Sequence, residues 1–280
     1  MKKFILVIAL FSTLASWATI PQSITLESGN IRIRLDGRKR WNMNRIEWKN
    51  QLMGIDQTGA HYGTTYQPKG SRYFIGSGHD ESGKGEDVIS LKIVVDNKEI
   101  IPQEKFTIKG KKIEVTKLSK ITSLEVKSQF VVENDIIGES TQISSKTPVN
   151  IQFLYFFMHP WSTRFDKFHA IFSNGSKLDV TFKSDGKFPN RKFVPAASWY
   201  DSKSGLGVVT TIKNIQGQKN PMRFLWDRTN YRKDYLCDYA RSTFPAGKVV
   251  VYEAKTGFFQ EKDNRKWITN AEQIMNKFLK

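Results

Sequence analysis

Apolar and polar residues alternate with a period of two through much of the chain, as in Ile31-Arg32-Ile33-Arg34-Leu35, Ile113-Glu114-Val115-Thr116 and Leu124-Glu125-Val126-Lys127. Successive side chains of a strand point to opposite faces, so this pattern predicts half-buried strands in antiparallel sheets. The longer apolar stretches from Val149 to Met158 and from Leu206 to Ile212 predict central strands covered on both faces. Turn-forming residues separate the strands at Asp36-Gly37, Asp96-Asn97, Glu133-Asn134-Asp135, Asn174-Gly175, Asp185-Gly186 and Pro245-Ala246-Gly247. Many short strands at hairpin spacing, without an alternating strand–helix rhythm, predict an all-β sandwich or a larger double-layer sheet.

Two segments depart from the pattern. From about Asn50 to Glu86 the chain is rich in Gly, Ser, Thr and Tyr and holds His61 and His79. It predicts long irregular loops, which in a compact domain usually carry function, and Tyr62, Tyr66, Tyr73 and Phe74 favour their being ordered. The tail from Trp267 to Lys280 places Ile268, Ile274, Met275, Phe278 and Leu279 at helical spacing. With Thr269 or Asn270 as cap, it predicts a short amphipathic helix docked on the sandwich.

The N-terminus changes the cellular setting. Lys2 and Lys3 precede an apolar run from Phe4 to Leu14, and small residues flank a cleavage point at Ser16-Trp17-Ala18. Residues 1–18 are therefore expected to be a signal peptide, too short for a membrane anchor. The mature chain is expected in the periplasm or outside the cell, without a transmembrane segment. Residues 19–266 are expected to form one β-sandwich domain and residues 267–280 the docked helix, since sandwiches of roughly 200–250 residues are common. At 39% hydrophobic and 25% charged residues, the composition is globular rather than disordered.

The net charge is +17, and loss of Lys2 and Lys3 with the leader lowers it to +15. Such a surface attracts polyanions. The basic residues are scattered (Arg32, Lys92, Lys127, Arg223, Lys255) rather than gathered in an arm or helix, which argues against nucleic acid. Acidic polysaccharide or an anionic envelope is the better-matched partner, and solubility alone is the plainer reading. Cys237 is the sole cysteine, so the chain has no internal disulfide, and a buried apolar role suits it.

No HxH, HExxH, P-loop or GxSxG pattern occurs, and there are four histidines in all, so no metal or other cofactor is expected. Three segments taken in order resemble the galactose mutarotase-like, or aldose 1-epimerase-like, supersandwich superfamily. They are GSGHDESG around His79, IQFLYFFMHPWS around His159, and DYLCDYARSTFPAGKVVVYEAKTGFF from Asp234 to Phe259. The early NRIEWKNQLMGI from Asn44 and the YDSKSGLGVVTTI from Tyr200 are similar to two further strands of that family. Together they cover most of the mature chain. The resemblance implies a supersandwich of antiparallel sheets with a saccharide bound in a concave cleft. It also implies that His79 and His159 are the two sugar-contacting histidines, one of them a general acid, for which an imidazole is suited near neutral pH.

The family's carboxylate lies two residues after the Cys; here that position is Tyr239, with Asp238 one residue earlier. Adjacent strand residues face opposite ways, so if Leu236 faces the core, Asp238 does too, and Tyr239 shares the face of Cys237. His159 is in phase with Val149, Ile151, Phe153, Tyr155 and Phe157, so a core position suits it as well as a site at a strand end before Pro160. Aromatic residues beside basic ones, Trp161 with Arg164 and Trp226 with Arg228, together with Tyr62, are candidates for holding a sugar ring and its acidic substituents. Three functions remain open: aldose 1-epimerase-type acid/base chemistry, a polysaccharide lyase acting on a uronate polymer, and a non-catalytic carbohydrate-binding module. In the lyase, His79 or His159 would be the base, Tyr239 or Tyr62 the acid, and Arg164 or Arg228 the neutralising cation.

Overall fold

A computed structural model describes residues 22–55, 61–79, 85–102 and 106–280; the leader expected at 1–18 lies outside them. Along the chain run β1 (Ser23–Ser28), β2 (Ile31–Asp36), β3 (Asn42–Trp48), β4 (Gln51–Ile55), β5 (Thr65–Pro68), β6 (Ile75–Gly76) and β7 (Asp87–Val95). Next come β8 (Lys98–Ile100), β9 (Phe106–Lys109), β10 (Lys112–Ile121), β11 (Leu124–Glu133), β12 (Ile136–Ser145), β13 (Val149–Trp161) and β14 (Lys167–Ile171). The remainder is β15 (Lys177–Thr181), β16 (Ala196–Asp201), β17 (Leu206–Gln216), β18 (Met222–Asp227), β19 (Arg232–Asp238), β20 (Ser242–Phe244), β21 (Val249–Gln260) and the helix α1 (Trp267–Leu279).

These strands form two sheets. The first runs β18-β19-β13-β4-β3-β2-β1-β9, with β5 and β20 also on β13 and β6 on β5. The second runs β15-β14-β16-β17-β21-β12-β11-β10-β7-β8. Pairing is antiparallel except between β1 and β9. The segment expected to be irregular between Asn50 and Glu86 contributes β4, β5 and β6. Its Thr65–Pro68 portion becomes a strand because β13 offers it an edge, from Tyr155 opposite Thr65 to Ile151 opposite Pro68.

Alternating residues become the filling between the sheets. Ile24, Leu26, Ile31, Ile33, Leu35 and Ile46 of the first sheet meet Ile93, Ile113, Val115, Trp199 and Val208 of the second. Further along, Leu154, Phe156, Leu236 and Phe244 meet Ile121, Leu124, Val126, Val250 and Tyr252. Burial of this apolar surface is the main favourable term for a chain without a disulfide.

Two inward positions of β10, Lys117 and Ser119, are not apolar. Lys117 is buried there, and its ammonium donates to the Arg40 carbonyl and Asn42 Oδ1 and pairs with Glu86 at 2.7 Å. Glu86 also accepts from Ser77 and Ser119. These partners belong to both sheets, so a satisfied polar group ties one sheet to the other.

The helix α1 lies on the outer face of the second sheet, burying Trp267, Ala271 and Met275 against Ala196, Tyr200, Val209 and Phe259. The Trp267 and Tyr200 rings stack at 4.8 Å, and Glu272 accepts from His169 of β14. Neither Thr269 nor Asn270 caps it. The cap position is Lys266, and the Asn270 amide instead donates to Glu261, which fixes the incoming chain.

Candidate functional site on the outer face of the first sheet

The two faces of the first sheet are chemically different. Register pairs Tyr155 with Cys237, Met158 with Tyr235 and His159 with Asp234, and pairs Trp226 with Lys233 across β18 and β19. Alternation therefore places Arg232, Asp234, Leu236 and Asp238 toward the second sheet and Lys233, Tyr235 and Cys237 away from it.

The inward face holds most of the sequence-predicted residues. His159 is buried between the sheets, in van der Waals company with Tyr62, Phe157 and Trp161. Its Nε2 lies 2.8 Å from Glu139 Oε1 of the second sheet, and its Nδ1 faces Asp234 Oδ2 at 3.7 Å, an ion-pair distance. Asp234 in turn accepts twice from Arg223, at 2.6 and 2.8 Å, and Arg223 also donates to the Val194 and Thr210 carbonyls. Burial works against the imidazolium, but Glu139 and then Asp234 outweigh it and raise its pKa to about 9. Burial likewise raises the Asp234 carboxyl, and Arg223 outweighs that and holds it at about 2. A cavity lined by Tyr62, Lys117, Glu139 and Phe157 measures about 40 Å³, room for little more than water.

Asp238 faces inward, as its phase with Leu236 requires. Its carboxylate accepts from the Lys219, Asn220 and Tyr239 amides and from the Tyr252 hydroxyl. Tyr239 does not share the face of Cys237. It follows the last residue of β19 with φ of +57°, so alternation ends there, and its ring turns into the core against Phe244 while its hydroxyl donates to the Gly217 carbonyl. Tyr62 and Trp161 are core residues as well. Arg164 donates to Asp201, Ser204, Gln51 and the Leu52 carbonyl, which ties down the link after β13.

The outward face gathers a different set. Tyr155, Phe224, Tyr235, Met158 and Cys237 form its buried floor, and Phe74, Phe153, Phe188, Met222 and Ala240 pack around it. Phe74 stacks on Tyr155 at 5.6 Å and reaches His79 at 5.5 Å; His79 meets His61 edge-on at 4.6 Å. The Tyr235 hydroxyl accepts from the His61 amide and donates to its carbonyl. Gly78 allows this packing: its φ is +70°, and a Cβ there would lie 2.4 Å from His61 Nδ1.

Lys233 stands on the same floor, 7% exposed, with its ammonium 4.3 Å from the Tyr235 ring centre and 5.0 Å from those of Tyr155 and Trp226. Burial pushes its pKa down to about 7, with Arg228 adding to the effect and Cys237 opposing it. Burial also pushes the Cys237 thiol up to about 12, leaving it an inert neighbour. Lys233 is thus a group able to give or take a proton near neutral pH.

No protein-family model matches the sequence, nor does any curated protein. Solved structures do. A galactose mutarotase-like protein from Lactobacillus casei superposes with a TM-score of 0.53 at 10% identity, over 85% of this chain and all of its own. The fold is galactose mutarotase-like. A Synechocystis protein matches the same supersandwich with a TM-score of 0.51 at 9% identity, over 86% of this chain and 96% of its own. An α-N-acetylgalactosaminidase from Bifidobacterium bifidum, solved with GalNAc, matches with a TM-score of 0.54 at 7% identity, over 90% of this chain and 38% of its own. At such identities the likeness is one of fold, and the site is read from this chain's own residues.

On this mutarotase-like supersandwich, His79 and Arg228 are the sequence-predicted site residues that the outer face brings together. His159, Asp238, Tyr239, Tyr62 and Trp161 lie on the inner side. Sequence reasoning missed Lys233, Tyr155, Tyr235 and Phe74. The phase argument applied to Asp238 would have found Lys233, which alternates with Asp234 and shares its phase with Tyr235 and Cys237. Among the described residues, no group of three or more His, Cys, Asp or Glu is arranged to hold a metal ion.

Proposed function

We propose that this chain is an exported carbohydrate-active protein that binds a saccharide on the outer aromatic face of its first sheet and performs acid/base chemistry there, of the kind that interconverts sugar anomers. The observation that carries the reading is Lys233, a buried amine titrating near 7 on a floor of aromatic rings that also bears His79. The half-buried rims of Phe74, Phe153, Phe188 and Trp226 offer flat apolar surfaces of the type that stack against the C–H face of a sugar. Anomer exchange needs one proton delivered to the ring oxygen and one removed from the anomeric hydroxyl. In this reading Lys233 and His79 carry those transfers, in place of a histidine and carboxylate that the interior has sequestered.

Polarimetry on freshly dissolved α-anomers of aldoses tests this. The wild-type protein should accelerate equilibration, and Lys233→Met or His79→Ala should slow turnover by about 100-fold, the usual worth of a general acid or base, while sugar binding persists. A second reading, a non-catalytic saccharide-binding module, is favoured by the engagement of Asp238 and His159 in interior bonds. Sugar binding by a folded wild-type protein that leaves anomer exchange at its uncatalysed rate would establish that reading instead.

A further inference from the structure

Resting on that reading, we infer that the saccharide is anionic and that Arg228 and Lys233 form the subsite for its carboxylate or sulfate group, beside a platform made by Phe188 and Trp226. The platform is built by the β18–β19 hairpin and the segment beside it. Register sets Trp226 directly across from Lys233, and Arg228, in the turn that follows, curls back so that its guanidinium lies 4.2 Å from the Trp226 ring centre. The neighbouring segment runs along β18 through an Asn190–Leu225 bridge, while the Asn190 side chain donates to the Arg223 and Lys192 carbonyls. This sets Phe188 on Trp226, ring on ring at 4.5 Å and 18°, with the Arg191 guanidinium 4.2 Å from the far side of Phe188. The Trp226 indole N–H is fixed by the Gly186 carbonyl. Two stacked rings are thus enclosed between two guanidiniums, with Lys233 against the inner edge.

Arg228 and Lys233, both against the Trp226 ring, repel each other, and the aromatic face offsets only part of that cost. The usual remedy is a carboxylate, and neither has one among the described residues. Asp227 turns inward to Arg232 and to the Lys183 and Ser184 amides, and Asp185 is taken by Lys187. Arg228 Nε is buried with no hydrogen-bond partner among the described residues. The missing counter-charge and the missing acceptor are both supplied by a ligand oxyanion, which a guanidinium fork binds in two parallel bonds.

Calorimetric titration of the mature protein with three probes of equal length tests the subsite: a galacturonate oligomer, its carboxyl-reduced neutral counterpart, and a sulfated form of that counterpart. At least one anionic probe should bind more tightly than the neutral one. Arg228→Gln should then weaken it by about tenfold, as expected for a lost charge-assisted pair, and leave the neutral probe unaffected. Lys98→Gln, an exposed change on the edge strand β8 of the other sheet, controls for diffuse attraction to a basic protein and should change nothing. Equal affinity for charged and neutral probes, or equal weakening by K98Q and R228Q, overturns the subsite while leaving saccharide binding intact. Absence of binding to all three overturns the saccharide reading with it.

Discussion

His159 and Lys233 are separated by a few ångströms of backbone thickness and behave oppositely, because one faces carboxylates and the other faces rings. The folded-state pKa of His159 is raised to about 9, so its contribution to stability is complete below about 6.5 and is lost as pH rises through 9. Lys233 has its folded-state pKa lowered to about 7. Burying its charge costs most below pH 7, and the cost is relieved as pH rises toward the unfolded value of about 10.4. Between pH 7 and 9 the two slopes oppose each other. Chemical denaturation across that window should give a nearly flat stability curve for the wild-type protein, a curve that falls with pH for Lys233→Met, and one that rises for His159→Gln. Parallel curves for all three would show that neither group carries a shifted proton. The same residue scale explains why His159 could not be assigned from strand phase. Bulges between Ile151 and Phe153 and between Tyr155 and Phe157 reset the alternation twice, so Phe153 and Tyr155 face outward while Phe157 and His159 face inward.

At the scale of elements, local pattern was legible and local function was not. The strands at Ile31–Asp36, Lys112–Ile121 and Leu124–Glu133 carry their alternation openly, and the buried strand Val149–Trp161 was visible as an unbroken apolar run. The strand Thr65–Pro68 was invisible, since its four residues pair by geometry and not by hydrophobic pattern. Pro160, which suggested a strand end, sits inside β13, where its missing N–H is tolerated next to Lys233. The helix α1 was legible from spacing, and its hold on the sheet can be measured. Trp267→Ala removes the ring stacked on Tyr200 and should cost about 3 kcal/mol, the low end for truncating a buried aromatic side chain. Denaturant unfolding followed by far-ultraviolet dichroism reads that loss; a change below about 0.5 kcal/mol, the scale of an ordinary surface substitution, would mean that the helix contributes little to the domain.

Across the whole molecule, polar groups between the sheets fix how the two layers sit. Lys117 from the second sheet reaches Asn42 of the first and Glu86 beyond it. Lys117→Met leaves the Glu86 carboxylate buried without its cation and should destabilise the protein by about 3–5 kcal/mol, whereas the double change with Glu86→Gln should recover much of that. Equilibrium unfolding of the single and double variants reads the difference, and simple additivity of the two losses would show that the pair is not coupled.

The sequence by itself determined that strands dominate, that a short helix closes the chain, and that Asp238 shares the face of Leu236, because these follow from periods of two and 3.6 along a local stretch. It also held, in the order of its motifs, the resemblance to the supersandwich fold. What only the tertiary structure decided is which face of each strand is the interior. That choice depends on bulges, on a left-handed residue at Tyr239, and on which segments distant in sequence supply Glu139 to one side of β13 and Phe74 to the other. A histidine is the same letter in either setting. Only the partners brought by long-range pairing make His159 a charged strut between sheets and leave Lys233, which no motif had marked, buried among rings on the outer face with a lowered pKa.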